Sequence, residues 1–589
     1  MKAGRRVVLV QPESIGGNFE YVAIPRQGML FLSAALKQWK GLYLYDTEIW
    51  FEDRSGKIDP DKDLHGVDIL MITSLINEAP RAYEIGRLAK LYHPQLVTVG
   101  GGPQMSPLPE EAIREGKFDV VVNREGEDII GQLSDVLLSY KGVDRDSALL
   151  KIPGISFMRD GHLVQTPRIG VISPDFVELP DFRAIRDLTP HNPMAGGVLE
   201  TVRGCTEKCT YCQVIQQFLG YRLVKRETEL KRLRQLRQLA ADGLIHTSRD
   251  GRFSVFISDD LHPPPLRAVK YRNERLERLK AWKGHTEDMY MICQTRAEIG
   301  QDPELASALY DAGIRMLYAG VESDNAENLK AVRKRQEPGQ VHNDLIRLNE
   351  MGFTIVAMTI IGLPYDTEES IMNMAEWITQ ISKYQTANLL TPLPATSNWT
   401  DLIPLDADGS VLPEGKIRPY HLYTGRQLVY QDSRWSMEES RQLFDKYYAS
   451  LNPVDKLYER IFRLLLNPRF RLSASGRGLS GNVSAQISEF IEATKTLSDS
   501  SKELPDAVSV RMHEMSEALG RYRLQLSATG KELPEVISAR ISEASEAFKR
   551  YRAHIADTGK EFSETISARI SEVNEALMRL LDLAPKRAA

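Results

Sequence analysis

The sequence predicts an α/β protein in which two parallel sheets, each covered by helices, precede an all-α C-terminal repeat. Short apolar runs alternate with helical segments over residues 1–140 and again over residues 191–400, and this alternation is typical of parallel sheets. The chain of 589 residues is too long for one hydrophobic core. Since domains average roughly 150 residues, we expect about three to four of them.

The first predicted unit, residues 1–140, contains a candidate ligand loop. Parallel sheets bind ligands beyond the carboxyl ends of their strands, and Gly100–Gly102 follows such an end. A tight turn explains these glycines equally well. No G-x-G-x-x-G follows the first strand, which argues against a dinucleotide site. Strands are predicted at Val7–Val10, Leu42–Tyr45, Ile69–Ile72, Leu96–Val99 and Val120–Val122, and helices at Gly28–Leu36 and Ala82–Leu91.

The second predicted unit, residues 191–400, follows a proline-punctuated linker at residues 141–190 that contains short strands. About six βα units predict an open or closed parallel barrel. Residues 401–470 are expected to be a helical extension of this unit. Its strands are predicted at Gly197–Val202, Phe253–Ser258, Met289–Cys293, Met316–Val321, Thr354–Ile361 and Ala387–Leu390, with helices such as Glu227–Ala241 and Pro303–Ala312 between them.

Residues 475–589 carry an internal repeat of 29 residues. The segments Val508–Met512, Ile537–Ile541 and Ile566–Ile570 recur at this constant spacing. Apolar residues within each copy follow a 4-3-4 spacing, which places them on one stripe of a helix. Helical hairpins or a coiled-coil bundle are the favoured interpretation, and a helix lying on a membrane surface is the alternative. The repeat is therefore a candidate for oligomerisation or peripheral membrane contact.

Charge and cysteine content restrict the classes of partner and compartment. The chain has 75 basic and 80 acidic residues and a formal net charge of −5, which argues against nucleic acid as an obligate partner. Four cysteines exclude a disulfide scaffold and favour a reducing compartment. The apolar run Val7–Val10 is too short for the core of a signal peptide, so we expect a cytoplasmic protein.

Three of the four cysteines, Cys205, Cys209 and Cys212, form a C-x-x-x-C-x-x-C pattern in a loop directly after a predicted strand. Structural zinc normally takes four ligands, and no histidine or fourth cysteine lies at a finger-like spacing. A cubane cluster contains four irons, so three cysteines would leave one iron open to an exogenous ligand. The spacing favours such a cluster, while zinc and unliganded thiols stay as alternatives.

The cysteine loop, with Tyr211 before its last cysteine, resembles the signature of the radical S-adenosylmethionine (SAM) superfamily. Further segments match in the expected order: Tyr318–Ser323, Ile361–Thr367 and the pair Thr295-Arg296, with Asp366 where glutamate is more usual. The resemblance covers about 200 residues and implies a [4Fe–4S] cluster on Cys205, Cys209 and Cys212. It further implies that SAM is bound by Tyr211, Gly320, Glu322, Ser323, Gly362, Leu363 and Pro364.

The N-terminal unit resembles the Rossmann-like cobalamin-binding domain that precedes many radical SAM cores. The resemblance rests on Pro25, Gly28 and Leu30, on the glycine loop, and on Val121–Glu127, where the family's R-G-E-G-E lacks one glycine. A degenerate domain without a cofactor is the alternative. The resemblance implies that cobalamin is bound by Thr73, Ser74, Gly101, Gly102, Arg124 and Glu127.

We expect no histidine ligand below the cobalt. The D-x-H-x-x-G motif that supplies this ligand in other cobalamin proteins begins with Asp63 and His65, but Asp68 stands where glycine is required. The cobalt would then be five-coordinate or water-ligated.

The layout most resembles cobalamin-dependent radical SAM methylases that act on hopanoid lipids. This resemblance implies a C-methyltransferase that acts on an unactivated carbon of a hydrophobic small molecule or lipid, through a 5′-deoxyadenosyl radical and methylcobalamin, with an external electron donor of the flavodoxin or ferredoxin type. The anaerobic magnesium-protoporphyrin ester cyclase, which shares the domain order, leaves an oxidative cyclase open. A methylthiotransferase would need three more cysteines, and only Cys293 is left. A non-enzymatic scaffold conflicts with the intact cysteine loop.

Two further polar features follow the strand predicted at Phe253–Ser258. The pair Asp259-Asp260 is a candidate contact to substrate or SAM, and a cap before the prolines at 263–265 explains it equally well. His262 is expected to be an exposed loop residue.

Overall fold

A computed structural model describes residues 2–14, 24–168, 170–382 and 384–451, and residues 1–450 form one compact unit. The predicted helical repeat at 475–589 and the end of the predicted extension at 401–470 lie outside the described residues. None of the helices in the described ranges combines the length and apolar composition that a membrane span requires.

The first sheet has seven strands in the order β2-β1-β3-β4-β5-β6-β7. Strands β1 to β5 are parallel, and β6 and β7 add an antiparallel hairpin that extends the sheet beyond the predicted boundary at residue 140. Helices cover both faces, which explains why Val7–Val10 is a continuous, fully buried apolar run. The strands are β1 (Gly4–Gln11), β2 (Leu44–Phe51), β3 (Ile69–Thr73), β4 (Val97–Gly101), β5 (Val120–Val122), β6 (Ile155–Arg159) and β7 (His162–Gln165).

The second sheet has six parallel strands in the order β15-β14-β13-β12-β11-β8, in agreement with the six predicted βα units. Strands β9 and β10 form a separate antiparallel pair next to the cysteine loop. The strands are β8 (Gly197–Leu199), β9 (Val202–Arg203), β10 (Arg222–Leu223), β11 (Phe253–Ile257), β12 (Met289–Thr295), β13 (Ile314–Glu322), β14 (Thr354–Ile361) and β15 (Tyr384–Leu389).

Helices connect successive parallel strands and cover the sheets. The helices of the described residues are Gln27–Gln38, Glu52–Ser55, Ala79–Tyr92, Gly102–Met105, Pro109–Gly116, Ile130–Ser139, Gly142–Leu149, Val214–Gln217, Arg226–Ala241, Val269–Trp282, Pro303–Asp311, Ala326–Ala331, Pro338–Glu350, Glu368–Thr379, Ser397–Asp401 and Met437–Ser450.

Three sequence predictions differ from the observed elements. The strand predicted at Gly197–Val202 is divided into β8, in the second sheet, and β9, in the separate antiparallel pair. The second strand begins at Leu44 rather than Leu42 and continues to Phe51. The segment 401–470 was expected to be helical, yet between residue 402 and the helix Met437–Ser450 the described chain is largely irregular. Three prolines and three glycines between residues 404 and 425 explain this difference, because both residue types interrupt helices.

Candidate functional site

The cysteine loop begins directly after β9, at the carboxyl edge of the second sheet. Gly204 starts it with φ = +86°, and a Cβ atom there would lie 2.0 Å from the carbonyl oxygen of Gly220. Only glycine fits this turn. Within the loop, the amide of Cys212 donates to the carbonyl of Cys209 over 3.2 Å. The structure thus places Cys205, Cys209 and Cys212 on one compact loop.

Burial favours the neutral form of the three thiols. Burial raises the pKa of Cys205, of Cys209 and of Cys212, the last to about 12. Bound iron would reverse this preference, because a coordinating thiol is deprotonated by the metal charge. Among the described residues, no three His, Cys, Asp or Glu side chains are close enough to share a single ion. A cluster of four irons binds each cysteine at a separate corner, so the three thiols of such a site need not converge on one ion.

The end of β13 places a buried ion pair next to this loop. The Lys334 ammonium lies 2.8 Å from Oε1 of Glu322, and the two side chains are each 10% exposed. A Cβ atom on Gly320 would lie 2.7 Å from Oε1 of Glu322 and 2.7 Å from Nζ of Lys334. The pair therefore occupies the space that the missing side chain of Gly320 leaves open.

Glu322 and Tyr211 connect this strand end to the cysteine loop. Glu322 has φ = +66° at a point where the pairing of β13 with β14 shifts. A non-glycine residue in the left-handed region is strained, and such strain is concentrated at functional sites. Burial and then the charge of Glu322 raise the pKa of Tyr211 well above its usual value, so the phenol stays neutral.

Asp366 is the buried centre of the loop after β14. Its Oδ2 accepts from the amides of Gly362 and Leu363, both at 2.9 Å, and its Oδ1 accepts from Nδ2 of Asn328 at 2.6 Å. Burial raises the pKa of Asp366 to about 6 despite these donors. Asp366, which is shorter than the glutamate of the motif it resembles, therefore still organises the loop.

Asn328 and Arg434 are two residues that the sequence did not identify. Asn328 also donates to Oγ of Ser323 over 3.4 Å, so it joins the ends of β13 and β14. Arg434 donates to the carbonyls of Leu363 at 2.6 Å and Pro364 at 3.2 Å. These contacts fix the predicted SAM residues of both loops. The partners lie tens of residues away in sequence, and no local pattern marks them.

His262 was expected on the surface, and this expectation is wrong. Its side chain is fully buried, and its Nδ1 lies 2.8 Å from Oδ2 of Asp259. Burial and the charge of Arg275 lower the pKa of His262 to about 4, so the ring is neutral at pH 7. His262 is therefore an interior residue, and its contact orients the buried carboxylate of Asp259.

Asp259 and Asp260 hold the backbone that leads into the cysteine loop. Oδ1 of Asp259 accepts from the amides of Thr201 at 2.6 Å and Val202 at 2.8 Å. Oδ2 of Asp260 accepts from the amide of Gly204 at 3.0 Å. Both aspartates therefore bind the backbone that leads into the cysteine loop, rather than the backbone before the prolines at 263–265, and contact with SAM or substrate stays a prediction.

The glycine loop of the first sheet borders an apolar cavity of about 170 Å³. A Cβ atom on Gly102 would lie 2.1 Å from Oγ1 of Thr73, so the loop requires glycine there. The predicted residues Thr73, Gly101, Gly102, Arg124 and Glu127 all line the cavity. Ser74 is buried, and its hydroxyl has no hydrogen-bond partner among the described residues.

His65 lies before the amino end of β3 and its ring packs on His93, with centroids 5.1 Å apart. This position is at the opposite edge of the sheet from the cavity.

Glu127, a predicted cobalamin contact, takes part in an ion-pair cluster that also contains Glu125, Glu200 and Arg203. The guanidinium of Arg203 lies 2.8 Å from Glu125, 2.7 Å from Glu127 and 2.7 Å from Glu200. Its side chain is 6% exposed. Arg203 lies two residues before Cys205, whereas Glu125 and Glu127 lie in the loop that follows β5 of the first sheet. The cluster therefore fastens the cysteine loop to the N-terminal unit.

Gln213 makes a second connection on the other side of the cysteines. Its Nε2 donates to the carbonyl of Pro103 at 2.6 Å and to that of Pro394 at 2.9 Å. It also lines a second cavity, of about 460 Å³, together with Ser106, Asn123, Arg124, Gln165 and Gln216. The glycine loop, the cysteine loop and the chain after β15 thus meet at one residue.

Comparison with known proteins gives a consistent family. Residues 199–378 match the Radical SAM superfamily. An uncharacterized methyltransferase from Pyrococcus horikoshii is 24% identical over 444 residues, which are 72% of this chain and 87% of the relative. The hopanoid C-3 methylase of Methylococcus capsulatus is 24% identical over 331 residues, which are 54% of this chain and 58% of the relative.

Two solved structures share the fold. The cobalamin-dependent S-adenosylmethionine radical enzyme OxsB, with aqua-cobalamin and S-adenosylmethionine bound, superimposes with a TM-score of 0.61 at 16% identity, covering 98% of this chain and 84% of that one. The radical S-adenosylmethionine methyltransferase TsrM from Kitasatospora setae, with cobalamin and a [4Fe–4S] cluster bound, superimposes with a TM-score of 0.52 at 16% identity. The match covers 68% of this chain and 78% of that one.

Proposed function

Because residues 199–378 match the Radical SAM superfamily, we propose that the chain is a cobalamin-dependent enzyme that methylates an unactivated carbon of a hydrophobic small molecule or lipid. The observation that carries this proposal is the junction at Gln213, where the cysteine loop contacts the glycine loop of the first sheet. A cluster on one loop and a corrinoid at the other would then be neighbours. The named methylases among the relatives support the same reaction class.

The groups that the chain would bind supply the reactivity, and its side chains supply binding and orientation. When bound and reduced, the cluster with SAM supplies a carbon-centred radical, and the corrinoid supplies the methyl group. Cys205, Cys209 and Cys212 would ligate the cluster. Asp259 and Asp260 hold the backbone at the start of their loop, so the three thiols are positioned before the metal binds.

Glu322 and Lys334 are the residues suited to the amino-acid part of SAM. The ligand carries an ammonium and a carboxylate, and these charges complement the carboxylate of Glu322 and the ammonium of Lys334. The pair is buried to 10% exposure, so water screens these interactions little. The loop Gly362–Pro364, held rigid by Asp366 and Arg434, would contact the adenosine part.

The two cavities lie between loops of the first and second sheets, and their linings suit two chemical parts of a cobalamin. The apolar cavity of about 170 Å³ beside Gly102 and Thr73 suits the flat aromatic base of the nucleotide tail. The second cavity is lined by several amide and hydroxyl side chains, which suit the amide groups around a corrin ring. Arg124 lines both cavities, and its side chain forms no hydrogen bond or ion pair among the described residues.

Three further features belong to the same proposal. We propose that the N-terminal sheet is a Rossmann-like cobalamin-binding domain and that residues 475–589 form helical repeats for oligomerisation or contact with a membrane. The four cysteines are free thiols, which supports a cytoplasmic location.

Anaerobic reconstitution with iron, sulfide and cobalamin tests the cofactors. We expect about one cluster and one corrinoid per chain, measured by metal analysis and visible absorption. Gly102→Ala should bind no corrinoid but keep its iron, because the new Cβ atom meets Thr73. Cys209→Ala should lose iron but keep the corrinoid. Wild-type protein that retains no corrinoid would refute the methylase.

Labelled SAM tests the reaction. Reduced holoenzyme is incubated with a lipid extract and SAM that carries a labelled methyl group, and the products are separated by mass. We expect a lipid that has gained one labelled CH₂ unit. An oxidised or ring-closed product without label would support the oxidative cyclase instead.

A further inference from the structure

A basic surface lies beside the cysteine loop. It consists of Lys208, Lys330, Arg333 and Arg335, and all four residues are exposed. Lys208 lies between Cys205 and Cys209 in the loop itself. The other three belong to the segment that follows the helix Ala326–Ala331 or ends it.

This segment contacts the cysteine loop directly. The carbonyl of Val332 accepts from the amide of Thr210 at 3.2 Å, and the carbonyl of Arg333 lies 4.0 Å from Sγ of Cys209. The basic surface therefore adjoins a cluster ligand, and a partner seated on it would come close to the cluster.

The fold alternates the direction of the side chains along this segment. Lys334 points inward to Glu322, and Nε2 of Gln336 donates to the carbonyl of Gly320 at 3.1 Å. Arg333 and Arg335, the residues between them, point to solvent. Lys334 and Gln336 thus contact the proposed SAM site, whereas Arg333 and Arg335 do not.

None of the four cations has an ion pair or side-chain hydrogen bond among the described residues. The nearby acid Glu207 is buried and paired with Arg267 and Arg296. Glu327 and Glu337 are the exposed acids of this helix and segment, so four cations stand against two acids. An excess of unpaired positive charge on a chain of net charge −5 is a local feature that attracts an acidic partner.

We propose that this basic surface docks a small acidic electron-transfer protein that reduces the cluster, an inference that rests on the function proposed above. In the step, the reduced carrier loses one electron and the cluster gains it, so charge balances without another reactant. Electron-transfer complexes bury about 1,200 Å² or less, and a surface of four side chains suits this class. Because the surface adjoins the cluster, docking and electron delivery occur at the same place.

The test compares two double variants, each of which replaces two basic residues by glutamate and so changes the net charge by the same amount. Lys330→Glu/Arg335→Glu changes the basic surface. Lys141→Glu/Lys283→Glu changes two exposed, unpaired lysines in loops at the amino edges of the two sheets. A flavodoxin serves as the probe, and its dissociation constant in the oxidised form is measured at low and at physiological salt.

We expect the first variant to weaken flavodoxin binding about tenfold at low salt, with the difference narrowing as salt rises, because the attraction is electrostatic. The control variant should bind within twofold of the wild type. Equal binding by the wild type and the Lys330/Arg335 variant, or equal weakening in both variants, would overturn the proposal.

A second measurement separates docking from chemistry. SAM cleavage by the holoenzyme is driven either by reduced flavodoxin or by dithionite, a small reductant that needs no docking site. The Lys330/Arg335 variant should lose rate only with flavodoxin. An equal loss of SAM cleavage with both reductants would contradict the docking role. A wild type that cleaves no SAM with dithionite would contradict the proposed function, and the dissociation constants would then decide whether the docking surface is correct.

Discussion

Replacing Arg203 by methionine tests whether the ion-pair cluster joins the two sheets. The cluster contains three carboxylates, of Glu125, Glu127 and Glu200, and Arg203 is bonded to all three. Two further guanidiniums, of Arg222 and Arg232, balance the charge. Removing one cation leaves one buried negative charge uncompensated.

The expected cost follows from the burial of the partners. The side chains of Glu125, Glu127 and Glu200 are 5%, 10% and 0% exposed, so water cannot replace the lost donor. Breaking a buried pair by removing one partner costs about 3–5 kcal/mol of unfolding free energy. The exposed pair of Arg114 and Glu110 provides a matched control, since its side chains are 54% and 52% exposed. Arg114→Met should cost about 0.5 kcal/mol or less.

Urea unfolding followed by circular dichroism measures both variants. Adding Glu127→Gln to Arg203→Met restores the charge balance, so the double variant should recover part of the loss. A loss below about 1 kcal/mol for Arg203→Met, or no difference from Arg114→Met, would refute the view that the cluster stabilises the junction.

Three further predictions concern the site. Cys209→Ala should abolish SAM cleavage and lower the iron content at unchanged circular dichroism, whereas Cys293→Ala, in a buried strand, should keep both. Gly320→Ala should weaken SAM binding about tenfold by calorimetry, because the new methyl group meets the carboxylate of Glu322, and overpacking costs about 1–3 kcal/mol. Burial raises the pKa of Asp366 to about 6 in the folded state. Between about pH 4 and pH 6 the folded state therefore holds a proton that the unfolded state has lost. The free energy of unfolding that Asp366 contributes thus falls as the pH rises through this range, and it is constant above it. Asp366→Asn should remove that fall, seen as the difference between wild-type and variant urea midpoints across this range.

Local sequence patterns predicted much of the framework. The buried strands Ile69–Thr73 and Thr354–Ile361 were predicted within about a residue, because continuous apolar runs mark parallel strands. The strand Leu44–Phe51 was misplaced, since Leu42 and Leu44 are apolar but exposed, at 57% each. The periodicity of side chains does not show which apolar residues face water.

The connections between distant residues were not predictable in the same way. Arg434 lies about 70 residues from the loop it fixes, and Asn328 lies 38 residues from Asp366. The sequence marked His262 only as a histidine beside prolines, and its burial became evident from its contact with Asp259. Such pairings depend on tertiary folding, which a local pattern does not encode.

Arg203 and Gln213 join the two sheets on both sides of the cysteine loop, and this supports the proposal that the sheets share one site. These residues flank the cysteine loop, one before Cys205 and one after Cys212, and each bonds to the N-terminal unit. A loop held on one side only could swing away from the glycine loop. Because the cysteine loop is held on both sides, it keeps a fixed distance from the glycine loop. The proposed reaction between a cluster and a corrinoid requires this fixed distance, because reacting atoms must stay aligned. The motif that resembles a cobalamin contact, at Glu125 and Glu127, thus contributes by holding the cysteine loop in place.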